Sequence, residues 1–289
     1  MAGNTPSIPV ALAPPTAVQQ AVIRLLAIPL LVYCAWLAEI FLLEGNRALF
    51  LEPATLPLVL YTVIGCILTG MIIPVLILRR SFLSGAVNMF QAGFRSLRRT
   101  VLACTLTGAA CCLIALLMTP ADPSRTALFY LFLLYLPTGI AAAMVCWVLA
   151  GTHLQALVRS GGAIASIPTG IVITAILFGL TIRVHTPATG LADPLGTGIL
   201  LGIGAALFFF AVRDVYATSI VLATGMVLLF PARAGTGIPE SLLPGVVFCA
   251  FLAVLALLAI HGYFVRTYTT VIVVPDSPIP NPGHEDPGS

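Results

Sequence analysis

Apolar runs longer than about 18 residues recur along the chain, each enough to cross a hydrocarbon core of about 30 Å as a helix rising about 1.5 Å per residue. Charged side chains make up only 8% of the 289 residues, against roughly a quarter in a soluble domain, so no water-facing surface can be assembled from them. The expected fold is therefore all-α: a polytopic transmembrane helical bundle of about eight spans, with the lipid bilayer as its first partner. The spans are expected near 21–43, 55–78, 101–118, 127–149, 165–183, 197–213, 215–231 and 245–265. The sixth and seventh are short and joined only by Arg213 and Asp214, so they read as a tight hairpin or as helices of unequal tilt.

Composition shifts mark the two ends. Residues 1–20 contain Pro6, Pro9, Pro14 and Pro15 and no charged side chain, which predicts a flexible lead-in to a helical domain over 21–266. The first apolar run is too long for a signal-peptide core and is expected to stay as an anchor. Residues 267–289, with Pro275, Pro278, Pro280, Pro282 and Pro287, read as a solvated tail.

All 13 basic residues are arginines. Nine of them (Arg24, Arg79, Arg80, Arg95, Arg98, Arg99, Arg159, Arg213 and Arg266) fall on one side of the expected topology and four (Arg47, Arg125, Arg183 and Arg233) on the other. Because basic flanks are retained in the cytoplasm, this asymmetry places both termini inside; the expected location is a plasma membrane of prokaryotic type. The net charge of +3 suits lipid headgroups and gives no reason to expect nucleic acid as a partner. Between the second and third spans, Leu83, Val87, Phe90, Phe94 and Leu97 recur at three- and four-residue steps opposite Ser84, Asn88, Gln91, Arg95 and Arg98. That pattern predicts one amphipathic helix lying flat on the inner leaflet.

Few groups within the spans carry chemistry. The seven cysteines (Cys34, Cys66, Cys104, Cys111, Cys112, Cys146 and Cys249) lack the short paired spacing of a zinc site. His153, His185, His261 and His284 are scattered, so neither a metal nor a cofactor is expected. Glu39 lies roughly 10 Å past the centre of the first span and about 5 Å inside the core's half-thickness, close enough to snorkel or to edge a polar cavity. Gly198 and Gly202, with Gly204 behind them, offer a small-residue face for close helix packing.

Residues 146–230 resemble the CPBP family, the CAAX proteases and bacteriocin-processing enzymes, which are multi-span intramembrane endopeptidases. The resemblance rests on three stretches and covers about 85 of the 289 residues. The first, Cys-Trp-Val-Leu-Ala-Gly-Thr-His-Leu-Gln at 146–155, is similar to a Glu-Glu-x-x-x-Arg motif followed by Gly-x-Leu-Gln; anchoring on Gln155 puts Cys146, Trp147 and Gly151 at the signature positions. The second, Ile-Leu-Phe-Gly-Leu-Thr-Ile at 176–182, resembles Phe-x-x-x-His, with Phe178 kept and Ile182 in the histidine's place. The third, Val-Leu-Ala-Thr-Gly-Met at 221–226, resembles His-x-x-x-Asn, with Leu222 and Met226 at the polar positions.

In the family's mechanism a carboxylate activates water while imidazole and amide groups orient it and stabilise the oxyanion. None of the substituted side chains can do so. The resemblance therefore implies a non-catalytic binding or regulatory homologue with a membrane peptide or protein as partner. Two other readings stay open: an active endopeptidase with an unfamiliar site, for which Glu39 and His153 are the candidates, and a transporter or structural membrane protein. For transport, Pro137 is a potential kink, but no half-repeat accompanies it.

Overall fold

The computed structural model describes residues 22–44, 49, 54–118, 125–159, 162–185, 193–229 and 240–268. The expected lead-in at 1–20, nearly all of the tail, and Arg47, Arg233 and His284 lie outside them. Among the described residues the chain is an all-helical bundle of eight long helices and no strand. These are α1 (Ile23–Leu43), α2 (Thr55–Leu83), α3 (Leu97–Met118), α4 (Arg125–Leu157), α5 (Gly162–His185), α6 (Pro194–Val212), α7 (Val215–Leu229) and α8 (Leu243–Tyr268). Seven are long and apolar enough to cross a membrane, while α7, with 15 residues, reaches only about 22 Å. The protein is a multi-pass integral membrane protein.

The organising element is α4. It contacts α1, α2, α5, α7 and α8, whereas α6 lies outside on α5 and α7, and α3 rests on α7. Every residue from Pro137 to Leu154 is buried. The stretch carries Gly139, Ala141, Ala142, Ala143, Ala150 and Gly151 around its circumference, and small residues let neighbouring backbones come close on all sides. A Cβ built on Gly70 of α2 would stand 2.6 Å from that of Ala141, and one on Gly139 would stand 3.2 Å from the Ser219 carbonyl oxygen of α7. Helix α4 also runs eight residues past the expected end at 149, because the polar side chains of that last stretch find partners within the bundle.

Three stretches, Ile23–Ala27, Tyr61–Ile72 and Ala143–Gly151, wind as π-helix. The first two end two residues before Pro29 and Pro74. Proline lacks an N–H and clashes with the carbonyl four residues back, and a wider turn relieves both problems. In the second stretch the Gly65 carbonyl also receives the Trp36 Nε1–H at 3.0 Å and the Thr69 hydroxyl at 2.9 Å.

The α5–α6 hairpin confirms the close approach at Gly198 and Gly202, whose added Cβ atoms would meet Ile182 Cβ at 2.8 Å and Ala175 Cα at 2.9 Å. Gly204 takes no part, since nothing lies within 4 Å of its Cβ position. A second correction concerns the flat interfacial helix. Residues 84–96 fold as successive turns instead, because Gly85 (φ 69°) and Gly93 (φ 88°) take left-handed conformations that interrupt helical winding. Val87, Met89, Ala92 and Phe94 point into the bundle, while Leu83, Phe90 and Leu97 stay exposed. Tertiary contacts at Phe94 and Arg95 override the amphipathic period.

Candidate functional site

The three stretches that carry the family-like positions lie on α4, α5 and α7, and both α5 and α7 pack on α4. Cys146, Trp147 and Gly151 on α4, Phe178 and Ile182 on α5, and Leu222 and Met226 on α7 are all buried, none more than 3% exposed among the six with a side chain. The Trp147 and Phe178 rings lie 5.2 Å apart, centroid to centroid. Opposite them the Tyr33 hydroxyl of α1 donates to the Leu177 carbonyl oxygen at 2.7 Å and lies 3.4 Å from Thr181 Oγ1. A Cβ on Gly151 would meet Thr174 Cγ2 at 2.9 Å, so α5 sits directly on the position where the family has its arginine. These seven positions form solid apolar core with no carboxylate, imidazole or amide among them. Among the described residues the Trp147 indole N–H has no hydrogen-bond partner.

The two speculative catalytic residues are far apart. Glu39 is half-buried near the end of α1, whereas the segment containing His153 packs against Ile23–Ala27 at the start of the same helix, roughly 20 Å away along the axis. No Glu39–His153 dyad is possible. His153 is fully buried and does have a partner that sequence reasoning missed: its Nε2 lies 2.7 Å from Ser81 Oγ on α2, and its Nδ1 lies 2.7 Å from the Leu149 carbonyl oxygen. With Nδ1–H donating to that carbonyl, neutral His153 accepts the serine proton at Nε2. This is the orientation of a serine–imidazole pair, with a peptide carbonyl in place of the usual orienting carboxylate. Seventy-two positions separate the partners, and no local spacing announces them.

At the arginine-rich end of the bundle, the 84–96 turns are fastened to the α6–α7 joint and to α8. Arg213 caps α6 in a left-handed conformation (φ 54°, ψ 52°), unusual for a residue with a side chain. Its guanidinium donates to the Gln91 carbonyl oxygen at 3.0 Å and to Gln155 Oε1 at 2.9 Å, and lies 4.8 Å from the Phe210 ring centroid. Burial, with the nearby Arg95 charge second, pulls Arg213 down to about 10, so it stays charged at neutral pH. Asp214 opens α7: its carboxylate accepts from the Ala217 N–H at 2.9 Å and from the Thr100 hydroxyl of α3 at 2.8 Å. Arg95 Nε donates to the Arg213 carbonyl oxygen, and His261 Nε2 donates to the Arg95 carbonyl oxygen at 2.7 Å. Every strong contact in this network satisfies a turn or a helix end, which is the chemistry of a structural clasp.

The cysteines are free thiols, and among the described residues no three His, Cys, Asp or Glu side chains come together as a metal site. No protein-family model, curated protein or solved structure matches the chain.

Proposed function

We propose that this chain is a non-catalytic relative of the CPBP-type intramembrane endopeptidases that acts by binding a membrane peptide or protein, with both termini in the cytoplasm of a prokaryotic-type plasma membrane. One observation carries the reading. Cys146, Trp147, Gly151, Phe178, Ile182, Leu222 and Met226, spread over three helices, are all sealed in apolar core. General acid–base chemistry needs a titratable group within hydrogen-bond reach of the reacting atoms and a path for water. These positions hold no carboxylate, imidazole or amide, and all of them are buried. The orientation is supported by the clustering of Arg79, Arg80, Arg95 and Arg213 at the end of the bundle where α1 begins and α8 ends.

The Ser81–His153 pair favours one competing reading, a membrane hydrolase that uses serine as nucleophile and histidine as base. The test is peptide-bond cleavage by the purified, detergent-solubilised protein on a broad library of membrane peptides, with Ser81→Ala, His153→Ala and Glu39→Ala variants alongside. The expected result is no cleavage by any of the four proteins under conditions where an intact family member cleaves. Cleavage that disappears in Ser81→Ala and His153→Ala, while surviving in Glu39→Ala, would establish the hydrolase instead.

A further inference from the structure

Between α3, α4 and α7 the bundle leaves a groove of about 540 Å³, walled by Gly108 and Leu116 of α3, Phe132 of α4, and Ile220 and Val227 of α7, with Arg125 at one end. Its polar side chains, cysteines aside, are Arg125 and Thr224. Helices α3 and α7 both run toward the level where α4 begins. Leu116, Val227 and Arg125 therefore share the mouth, and Gly108, Ile220 and Phe132 form the deep end. From Leu116 to Gly108 the depth is about 12 Å and from Arg125 to Phe132 about 10 Å, most of the roughly 15 Å of one leaflet's hydrocarbon. Arg125 is exposed. It sits at the first turn of its helix, the height at which lipid phosphates lie.

Charge decides between the occupants that such an apolar space admits, because Arg125 stands at its mouth. A single acyl chain fits, and an arginine at the mouth complements the phosphate above it. We infer that this groove holds one phospholipid of the leaflet on the Arg125 side, an acyl chain lying between α3 and α4 over α7 and the phosphate on the Arg125 guanidinium. The site is independent of the catalytic status of the chain, because it lies at the start of α4, away from the stretch that α5 contacts, and shares none of the family-like positions.

The test loads the full-length protein in detergent with phosphatidylglycerol or with a phosphate-free diacyl glycolipid and reads retained lipid by native mass spectrometry. The expected result is one retained phosphatidylglycerol, held about tenfold more strongly than the glycolipid, the value of one charge-assisted contact. Gly108→Leu should abolish retention, since nothing lies within 4 Å of its Cβ position and the new side chain grows into the groove. Gly204→Leu, equally open but on α6, should leave retention unchanged. Arg125→Gln should bring phosphatidylglycerol down to the glycolipid level. Equal retention of the two lipids by the unaltered protein would overturn the inference, as would retention indifferent to both Gly108→Leu and Arg125→Gln. Loss of a dimer rather than of lipid in Gly108→Leu would assign the groove to a second copy of the chain.

Discussion

Helices α3 and α4 are similarly apolar, with mean hydropathies of 2.4 and 2.0, yet 6% of the central stretch of α3 is buried against 89% of that of α4. Hydropathy cannot separate them, because lipid tails are as apolar as a protein interior and the membrane exerts no hydrophobic pressure between helices. The angular distribution of small residues does separate them. In α4, glycine and alanine occur on all faces from Gly139 to Gly151, so five neighbours approach. In α3, Ala103, Cys104, Thr107, Gly108 and Cys111 lie toward one side, and the exposed Leu102, Leu106, Leu113 and Leu117 occupy the rest. One helix is a hub and the other a flank.

The sharpest way to break that contrast is to enlarge a small residue on each helix's contact surface. Gly70→Leu forces atoms into the backbone and side chains that meet Ala141 of α4, and should lower stability by about 3 kcal/mol or prevent folding. Reversible unfolding in a detergent–denaturant titration reads the loss. A smaller effect is expected where α3 is fastened to α7. Asp214→Ala removes the acceptor for both Thr100 and the Ala217 N–H, and should cost about 2 kcal/mol in the same titration.

Next in size, Ser81→Ala strips the buried His153 Nε2 of its hydrogen-bond partner and should cost about 1–2 kcal/mol. A fall of that size with no change in any cleavage signal would mark the pair as structural. At the small end, Gly108→Leu on α3 should leave stability within about 0.5 kcal/mol, since it meets open space. A large loss at Gly108 would mean that α3 packs more tightly than its exposure indicates.

How far the sequence reaches can be judged from the same elements. Long apolar runs suffice to reveal a polytopic bundle, and the spacing of Gly198 and Gly202 suffices to reveal the α5–α6 contact. The end of α4 was hidden because Thr152, His153 and Gln155 look like loop chemistry, whereas inside the bundle His153 meets Ser81 and Gln155 meets Arg213. The 84–96 turns were hidden because His261 and Arg213, more than a hundred positions away, decide where that segment goes. Gly204 breaks the spacing of Gly198 and Gly202, since a position two residues past Gly202 lies roughly 200° round the helix, and it faces away from α5 as the helical period requires. The polar partners of the candidate site are long-range for the same reason: a hydrogen bond across a bundle leaves no local period.

The central claim is that the family-like positions around α4 are sealed from water, and Trp147, one of only two tryptophans, stands among them. In a Trp36→Phe background its fluorescence is the sole indole signal. The measurement is quenching of that signal by aqueous acrylamide and, separately, by brominated lipid. A sealed core predicts blue-shifted emission that neither quencher reduces. Efficient acrylamide quenching would reveal a hydrated cavity at the protease-like positions and contradict the account.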